Sequence, residues 1–319
     1  MDALYNAAKP RVVAIGGPTA TGKTALSVAL AKRFGGEIIS ADSMQIYQGL
    51  DVGTAKVTPE EMQGVPHHLV GFLAPEQAFS VADFTTLAGK TITQLTAQGK
   101  LPLVVGGTGL YITSLLNGIG FTPEKVDPAI RQELQARLQA EGSQALYAEL
   151  AAVDPGYAAK VHPNNTPRVI RALELYRATG RKMSAEREAA RPAEKPYCSL
   201  CLCLTCRDRT LLYQRIDTRC DRMMQSGILE EAKLVYDHRD TYRTAAQAIG
   251  YKEFVDALDG RCTIEEAADL VRQSSRRYAK RQLTWFRRNK AIHWLIREAG
   301  DTGREILENA RRIVSDFDN

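Results

Sequence analysis

The chain lacks long hydrophobic runs and has few cysteines for its length. No apolar stretch among its 319 residues is long enough to span a bilayer. Residues 1–10 contain neither the apolar centre of a secretory signal nor the arginines of a transit sequence. Six cysteines, with Cys220 and Cys262 far apart, do not make the dense framework of a secreted disulfide-rich domain. We therefore expect a cytoplasmic protein with no membrane association.

Four of the cysteines are closely spaced and allow two interpretations. They are Cys198, Cys201, Cys203 and Cys206. Cysteine pairs with two residues between them are familiar zinc ligands. The alternating leucines from Leu200 to Leu204 instead favour a buried strand with apolar cysteines, in which the two inner and the two outer cysteines lie on opposite faces. We expect the strand, and the sequence leaves metal binding by these cysteines open.

The charge balance of the chain is modestly basic. The formal net charge is +5, and the sequence pI is about 8.8. Hydrophobic residues make up 44% of the chain and charged residues 25%, as is ordinary for a globular protein. Binding to nucleic acid must therefore be argued from where the basic residues lie, because their total is not extreme.

The most informative segment lies between a strand-like run and a helix-like run. It reads GPTATGKT and fits the phosphate-loop pattern G-x-x-x-x-G-K-[ST]. Backbone N–H groups at such a helix start bind phosphate oxygens. We expect Lys23 to neutralise the terminal phosphates and the Thr24 hydroxyl to ligate Mg²⁺. The predicted phosphate-binding residues are Gly17, Pro18, Thr19, Ala20, Thr21, Gly22, Lys23 and Thr24.

A carboxylate follows the next strand-like segment. Residues 36–41 read as a short buried strand, and Asp42 comes directly after it. In α/β folds, ligands bind at the carboxyl ends of parallel strands, so Asp42 is a candidate for chemistry. Asp also commonly caps a helix or a turn, and the segment alone is equally compatible with that interpretation.

A third strand-like segment ends in glycines. Residues 101–105 are apolar, and Gly106, Gly107 and Gly109 surround Thr108. No acid follows the strand at the point where an NTP hydrolase usually holds Mg²⁺ with an Asp. The glycines either let a flat or bulky group approach closely or serve a tight turn with positive φ. The three segments together indicate a diphosphate or triphosphate ligand without naming the reaction.

The order and spacing of these and further motifs resemble the tRNA dimethylallyltransferase family, also called tRNA isopentenyltransferases. The matching motifs are GPTATGKT at 17–24, ADSxxxY at 41–47, DxGTAK at 51–56, GGTGLY at 106–111, RIDxR at 215–219, AIGYKE at 248–253 and KRQxTWFR at 280–287. The resemblance covers nearly the whole chain. It implies transfer of a dimethylallyl group from dimethylallyl diphosphate to a tRNA. The implied acceptor is the N6 amine of the adenosine that is 3′-adjacent to the anticodon (adenosine 37), in tRNAs reading codons that begin with U.

The resemblance also implies roles for individual residues. Asp42 fits a general base, because the exocyclic adenine amine is a weak nucleophile that must lose a proton as the new bond forms. Arg219 is implied as an arginine that holds the leaving diphosphate, and Thr19 is implied to lie near the reacting groups. The implied tRNA contacts are Asp42, Ser43, Met44, Gln45 and Thr108.

Two basic elements are candidates for RNA contact. Residues 271–290 carry eight lysines and arginines, no acid and three interleaved aromatic residues. This composition is typical of phosphate contact with base stacking, although a solvated helix face can look the same. In the second element Arg168 and Arg171 lie one helical turn apart and correspond to the family's tRNA-contacting motif QRxxR. Pro167 stands where the motif has Gln.

The chain changes character after residue 118, where strand and glycine patterns give way to amphipathic helices. Apolar alternation resumes near Tyr197. We predict an α/β fold with a P-loop NTPase-like parallel sheet core, formed by residues 1–118 and by residues 199–319 with their basic C-terminal helices. Residues 119–198 are predicted to form an inserted, mainly helical domain that clamps the tRNA. We expect a monomer.

Three alternatives remain at this point. A small-molecule kinase would use the same loop on ATP, with Asp42 as the base for an acceptor hydroxyl. A non-catalytic RNA-binding module could have kept a phosphate loop. An isopentenyltransferase acting on free adenine nucleotides is the third, but a mononucleotide needs neither a helical insertion nor a basic tail.

Overall fold

The computed structural model describes residues 9–121 and 127–318. The chain divides into two compact units, of which the larger consists of residues Met1–Leu116 and Pro196–Asn319 and the smaller of residues Asn117–Lys195. The boundaries expected from the sequence lie within three residues of these. The interpretation of residues 1–10 falls almost wholly outside the described residues. No helix in the described ranges is long and apolar enough to cross a membrane.

The larger unit is built on a six-stranded sheet in which every neighbouring pair of strands is parallel. The strands are β1 Arg11–Gly16, β2 Gly36–Ser40, β3 His67–His68, β4 Leu101–Val105, β5 Cys198–Cys206 and β6 His293–Arg297. Their order is β3-β2-β4-β1-β5-β6. The predicted α/β parallel sheet is confirmed. Because β2, β4 and β1 are consecutive in the sheet, the three segments that follow them lie at one edge.

Among the described residues, both units also contain α-helices. In chain order they are α1 Lys23–Phe34, α2 Pro59–Met62, α3 Val81–Ala97, α4 Gly109–Leu116, α5 Pro128–Val153, α6 Pro155–Ala158, α7 Thr166–Thr179, α8 Met183–Ala189, α9 Arg209–Gln225, α10 Ile228–Asp237, α11 Val255–Leu258, α12 Ile264–Phe286 and α13 Arg304–Asp318. Helices α5 to α8 belong to the smaller unit. In the residues that the structure describes, the regular structure of that unit is helical.

The two faces of the sheet bury separate cores. Alternation along β1 sends Val13 and Ile15 to a core with α1 and α13, and Val12 and Ala14 to a core with α3 and α4. A third cluster joins α9, α10 and α12 to the chain after β2. This cluster matters for the site because it brings two distant parts of the sequence, residues 42–56 and residues 209–286, together.

The cysteine-rich segment is strand β5, as expected. Its leucines face one core, while Cys203 is fully buried in the other. Burial raises the pKa of Cys203 to about 12, so its thiol stays protonated at neutral pH. Within residues 9–121 and 127–318, no group of three or more His, Cys, Asp or Glu side chains is arranged to hold a metal ion.

Helices α5 and α7 of the smaller unit have residues at their ends that favour the start or the end of a helix. The Asp127 carboxylate accepts a hydrogen bond from Ala129 N at 2.9 Å and caps α5. Helix α7 has Pro167 in its first turn and ends at Gly180, which adopts φ 71°. Asn165 precedes α7, and its side chain makes no capping hydrogen bond.

Candidate active site

The phosphate loop connects β1 to α1 and is tightly wound. Gly17, Ala20 and Gly22 adopt positive φ values of 137°, 63° and 92°. The Thr21 hydroxyl, which is fully buried, donates to Pro18 O at 2.9 Å. A loop with such turns can point successive backbone N–H groups inward and form an anion nest. The positive φ values at the start of α1 therefore fit a phosphate-binding loop.

Lys23, the first residue of α1, is surrounded by charges from distant parts of the chain. Its Nζ donates to Pro18 O at 2.7 Å. Burial, reinforced by the positive charge of Arg219, lowers the pKa of Lys23 to about 8, and the Asp42 carboxylate opposes that decrease. Three predicted site residues are thus close enough to act on each other electrostatically.

The two arginines of the RIDxR motif lie on α9 but have different surroundings. Arg215 Nε donates to Ala20 O at 2.7 Å and so supports the left-handed conformation of that loop residue. Arg219 is half-buried, and burial lowers its pKa while the Asp42 carboxylate opposes the change. Arg215 therefore braces the phosphate loop, whereas Arg219 presents its charge to the space shared with Lys23 and Asp42.

Asp42 lies two residues beyond the end of β2, and one of its carboxylate oxygens is held by backbone N–H groups. Its Oδ1 accepts hydrogen bonds from Met44 N at 2.9 Å and Gln45 N at 3.2 Å. No hydrogen bond to Oδ2 is present among the described residues. Asp42 can therefore cap the turn and also act as a base. The hydrogen bonds to Oδ1 fix the carboxylate, and Oδ2 remains able to accept a proton.

Ser43 and Thr108, both expected near the nucleobase, are in contact. Ser43 N donates to Thr108 Oγ1 at 3.2 Å. Thr108 N in turn donates to Ala41 O at 3.2 Å. These bonds tie the segment after β2 to the segment after β4.

The glycines after β4 are required by close packing and not by backbone conformation. None of Gly106, Gly107 and Gly109 has a positive φ, so the expectation of a special turn is wrong. A Cβ at Gly106 would overlap the carbonyl of Ala41, one at Gly107 the amide nitrogen of Gln282, and one at Gly109 the indole of Trp285. The bulky groups that approach these glycines include two side chains of α12.

Gln282 connects the two halves of the site. Its Oε1 accepts a hydrogen bond from Thr19 N at 3.1 Å, and its Nε2 donates to Gly107 O at 3.0 Å. The residue is only 6% exposed. The phosphate loop and the turn after β4 are therefore held at a fixed separation. One consequence is that the Thr19 N–H, expected from the sequence to face a phosphate, is bonded to protein.

Tyr278 lies one turn before Gln282 on α12 and faces the same region. Burial raises the pKa of Tyr278 to about 12, and the Asp42 carboxylate adds to this rise. Hydrogen bonds involving Thr108 and Gln282 act in the opposite direction. Tyr278 and Gln282 were missed by the site prediction, although the KRQxTWFR motif that contains Gln282 was a usable signal.

The basic residues of α12 do not form one uniform surface. Arg276 pairs with Asp217 at 2.6 Å, and Arg272 pairs with both Asp221 and Asp269. These two arginines are neutralised by acids, most of them on α9. Fewer basic side chains of residues 271–290 are therefore available to RNA than the composition indicates. A count of charges within this segment does not include the acids of α9, which lie more than 50 positions earlier in the sequence.

In the smaller unit, Arg168 and Arg171 are both exposed on the first turns of α7. The distance from Arg171 Nη1 to Glu174 Oε2 is 3.5 Å, and the Glu174 side chain is only 2% exposed. Arg131 also donates two hydrogen bonds to the Glu174 carboxylate. The Arg168 side chain forms no hydrogen bond or ion pair with another described residue. The buried carboxylate of Glu174 thus binds both Arg131 and Arg171.

Thr24 suits the metal role expected from the loop pattern. Its hydroxyl makes no hydrogen bond within the described residues, and it lines a cavity of about 30 Å³ together with Ser27 and Ser40. Mg²⁺ in phosphate-binding sites takes few protein oxygens and completes its shell with phosphate oxygens and water. The Thr24 hydroxyl, at the start of α1, can serve as one such protein oxygen.

Comparison with known proteins identifies relatives whose matches include the residues of the candidate site. The sequence model of the IPP transferase family matches residues 45–289, and that of an isopentenyl transferase family matches residues 10–70. A tRNA dimethylallyltransferase from Halalkalibacterium halodurans is 47% identical over 300 residues, which are 94% of this chain and 95% of the relative. One from Bacillus subtilis is 50% identical over 289 residues, 91% of each chain.

Solved structures give the same result. The full-length tRNA isopentenylpyrophosphate transferase from Bacillus halodurans superposes with a TM-score of 0.72 at 46% identity, covering 97% of both chains. A eukaryotic dimethylallyltransferase acting on tRNA superposes with a TM-score of 0.79 at 30% identity, covering 96% of this chain and 79% of the other. With a family model matched over most of its length and relatives near half identity, the chain belongs to the IPP transferase family of tRNA dimethylallyltransferases.

Proposed function

We propose that this chain is a tRNA dimethylallyltransferase. It transfers the dimethylallyl group of dimethylallyl diphosphate to the N6 amine of the adenosine 3′-adjacent to the anticodon, in tRNAs that read codons beginning with U. The observation that carries the proposal is the position of Asp42: one oxygen is fixed by backbone N–H groups, and its charge acts directly on Lys23 and Arg219. A base and an anion site thus share one small space.

The nucleophile in this reaction is the N6 amine, which is weak because its lone pair is delocalised into the adenine ring. A bond forms between N6 and C1 of the dimethylallyl group while the bond from C1 to the diphosphate oxygen breaks. The amine proton passes to Asp42 Oδ2, so the product amine is neutral. The peptide N–H groups of Met44 and Gln45 keep the carboxylate oriented for this transfer.

The leaving diphosphate gains negative charge as the C–O bond breaks. Lys23, Arg219 and the N–H groups of the phosphate loop are preorganised to stabilise that charge. Thr19 lies in the same loop, next to the reacting carbon in this proposal. Thr24 would hold Mg²⁺, which supplies further positive charge to the diphosphate when it is bound.

The target adenosine is stacked within the anticodon loop and must be extruded before its amine can react. Ser43, Met44, Gln45 and Thr108 are proposed to seat the extruded base beside Asp42. Arg168 and Arg171 are proposed to bind phosphates of the anticodon stem-loop. Pro167 stands where the family's motif has Gln, so the side-chain amide of that residue is absent from the proposed contact. In this proposal the enzyme acts as a cytoplasmic monomer.

A direct assay tests the proposal. Purified protein is incubated with radiolabelled dimethylallyl diphosphate and an unmodified tRNA transcript that reads a U-initial codon, and the product nucleosides are identified by mass spectrometry. We expect label in N6-isopentenyladenosine at one position, and none in a matched transcript with guanosine there. Phosphoryl transfer from labelled ATP without prenylation would replace this proposal with a small-molecule kinase.

A further inference from the structure

The carboxylate of Glu231, on α10, accepts four hydrogen bonds although the residue belongs to none of the sequence motifs. Its Oε2 accepts from Asp51 N at 2.6 Å and Val52 N at 3.0 Å. Its Oε1 accepts from Gly53 N at 2.7 Å and from the Tyr251 hydroxyl at 2.6 Å. Three consecutive backbone N–H groups around one carboxylate form an anion nest. The loop of residues 51–56 is therefore wound around this single side chain.

Two otherwise unassigned motifs meet at Glu231. The loop belongs to DxGTAK, and Tyr251 belongs to AIGYKE. A Cβ at Gly53 would overlap the ring of Tyr251, and Gly250, with φ 101°, lies against Gly53. The glycines of both motifs therefore permit the close approach through which the Tyr251 hydroxyl and the loop N–H groups reach the same carboxylate.

The other end of the 51–56 loop holds a residue of the proposed base-binding site. Gln45 Nε2 donates to Ala55 O at 2.9 Å and to Thr54 O at 3.4 Å. The backbone N–H of Gln45 in turn donates to Asp42 Oδ1 at 3.2 Å. A continuous series of hydrogen bonds thus runs from Glu231 through the loop and Gln45 to Asp42.

We propose that Glu231 is a positioning residue for prenyl transfer: it fixes the 51–56 loop, which holds Gln45 and thereby orients the Asp42 carboxylate and the base beside it. This inference rests on the proposed function, because it assigns Gln45 and Asp42 to the adenosine side of the site. The phosphate loop is held separately by Arg215 and Gln282. Loss of Glu231 should therefore impair use of tRNA without changing the affinity for dimethylallyl diphosphate.

Steady-state kinetics of Glu231→Gln test this. The amide keeps the size of the side chain but places an N–H group against backbone N–H donors. We expect kcat/KM for tRNA to fall by about tenfold or more, with a raised KM for tRNA, because small displacements of reacting groups cost rate steeply. The KM for dimethylallyl diphosphate should stay at the wild-type value. Glu230→Gln, the exposed neighbour on the same helix, is the matched control and should match wild type.

A purely structural anchor predicts a different result. It would lower the fraction of folded enzyme, and hence the apparent kcat, while both KM values stayed unchanged. Wild-type kinetics for Glu231→Gln, a loss of kcat that equals the measured loss of folded enzyme with both KM values unchanged, or a raised KM for dimethylallyl diphosphate would each overturn the inference. Should this variant fail to fold, Tyr251→Phe removes only one of the four hydrogen bonds and is judged by the same criteria.

A double-mutant cycle tests the route through Gln45. If Glu231 acts through that side chain, Glu231→Gln combined with Gln45→Ala should lose little more activity than Gln45→Ala alone. Additive losses would overturn the proposed route. Absence of prenylation by the wild type and by Glu230→Gln would instead contradict the proposed function, so the two failures are distinguishable.

Discussion

The side-chain oxygen of Gln282 accepts a hydrogen bond from the backbone N–H of Thr19 at 3.1 Å, across 263 positions of sequence. The same amide donates to Gly107 O at 3.0 Å. One glutamine from α12 therefore sets the separation between the phosphate loop and the segment that carries Thr108. In the proposed reaction that separation is the distance between the diphosphate and the nucleobase.

Replacing Gln282 should damage both stability and diphosphate binding. Gln282→Met keeps the length of the side chain but removes both hydrogen bonds. We expect the free energy of unfolding to fall by about 1–3 kcal/mol, since polar groups are left unpaired in a largely buried place. The KM for dimethylallyl diphosphate should rise because Thr19 and its loop are no longer held. Gln273→Met, at an exposed position of the same helix, is the control. Equal unfolding curves and kinetics for the two variants would show that the bridge is unimportant.

Glycine at position 107 should be intolerant of even one methyl group. Gly107→Ala places a Cβ onto the amide nitrogen of Gln282 and must displace it. We expect destabilisation of about 1–3 kcal/mol from this overpacking. At Gly89, inside α3, a Cβ has its nearest neighbour at 3.4 Å, so Gly89→Ala should stabilise by about 0.5–1 kcal/mol. Thermal or urea unfolding measures both changes, and a stable Gly107→Ala protein would contradict the packing described for α12.

The pKa of Lys23, lowered to about 8, predicts a pH limit on substrate binding. Only the protonated ammonium attracts the diphosphate, and it loses its proton as the pH rises through about 8. We therefore expect kcat/KM for dimethylallyl diphosphate to decline above this pH. Lys23→Arg stays protonated, so its profile should lack this decline even if its activity is lower. A wild-type profile that is flat from pH 7 to about pH 9.5 would contradict the assignment of the charge to Lys23.

Arg168 should contribute to tRNA affinity alone. Arg168→Ala is expected to raise the KM for tRNA and to reduce the slope of log affinity against log salt by about 1, as for one lost phosphate contact. The KM for dimethylallyl diphosphate should not change. Arg312→Ala, at an exposed position of α13, controls for the change in net charge. If Arg312→Ala weakens tRNA binding equally, the effect is one of total charge and not of a contact.

Much of the fold could be predicted from the sequence because its signals are local. The phosphate loop, the strand before it and the helix after it follow from a glycine pattern and apolar spacing, and the structure has all three. The amphipathic periodicity after residue 118 predicts helices, and the structure has α5 to α8 in that part of the chain. Asp42 was identified because the end of a parallel strand is where such folds bind ligands.

The relationships that complete the site could not be predicted, because they join residues distant in sequence. Gln282 and Glu231 both hold backbone groups of loops that are more than 170 positions away. A backbone N–H has no sequence signature, so its partner cannot be found from motifs. Distance in sequence also hid the partners of Arg272 and Arg276, which were counted among the candidates for RNA contact. The acids that pair with them include Asp217 and Asp221 on another helix.

The most direct test of the account is the single-turnover rate of Asp42→Asn with saturating tRNA and dimethylallyl diphosphate. The asparagine oxygen can still accept the N–H groups of Met44 and Gln45, so the turn is kept while the proton acceptor is lost. We predict a rate about 10² to 10⁴ times lower, with tRNA and diphosphate affinities close to those of the wild type. Prenylation at the wild-type rate by this variant would remove Asp42 from the chemistry and contradict the account.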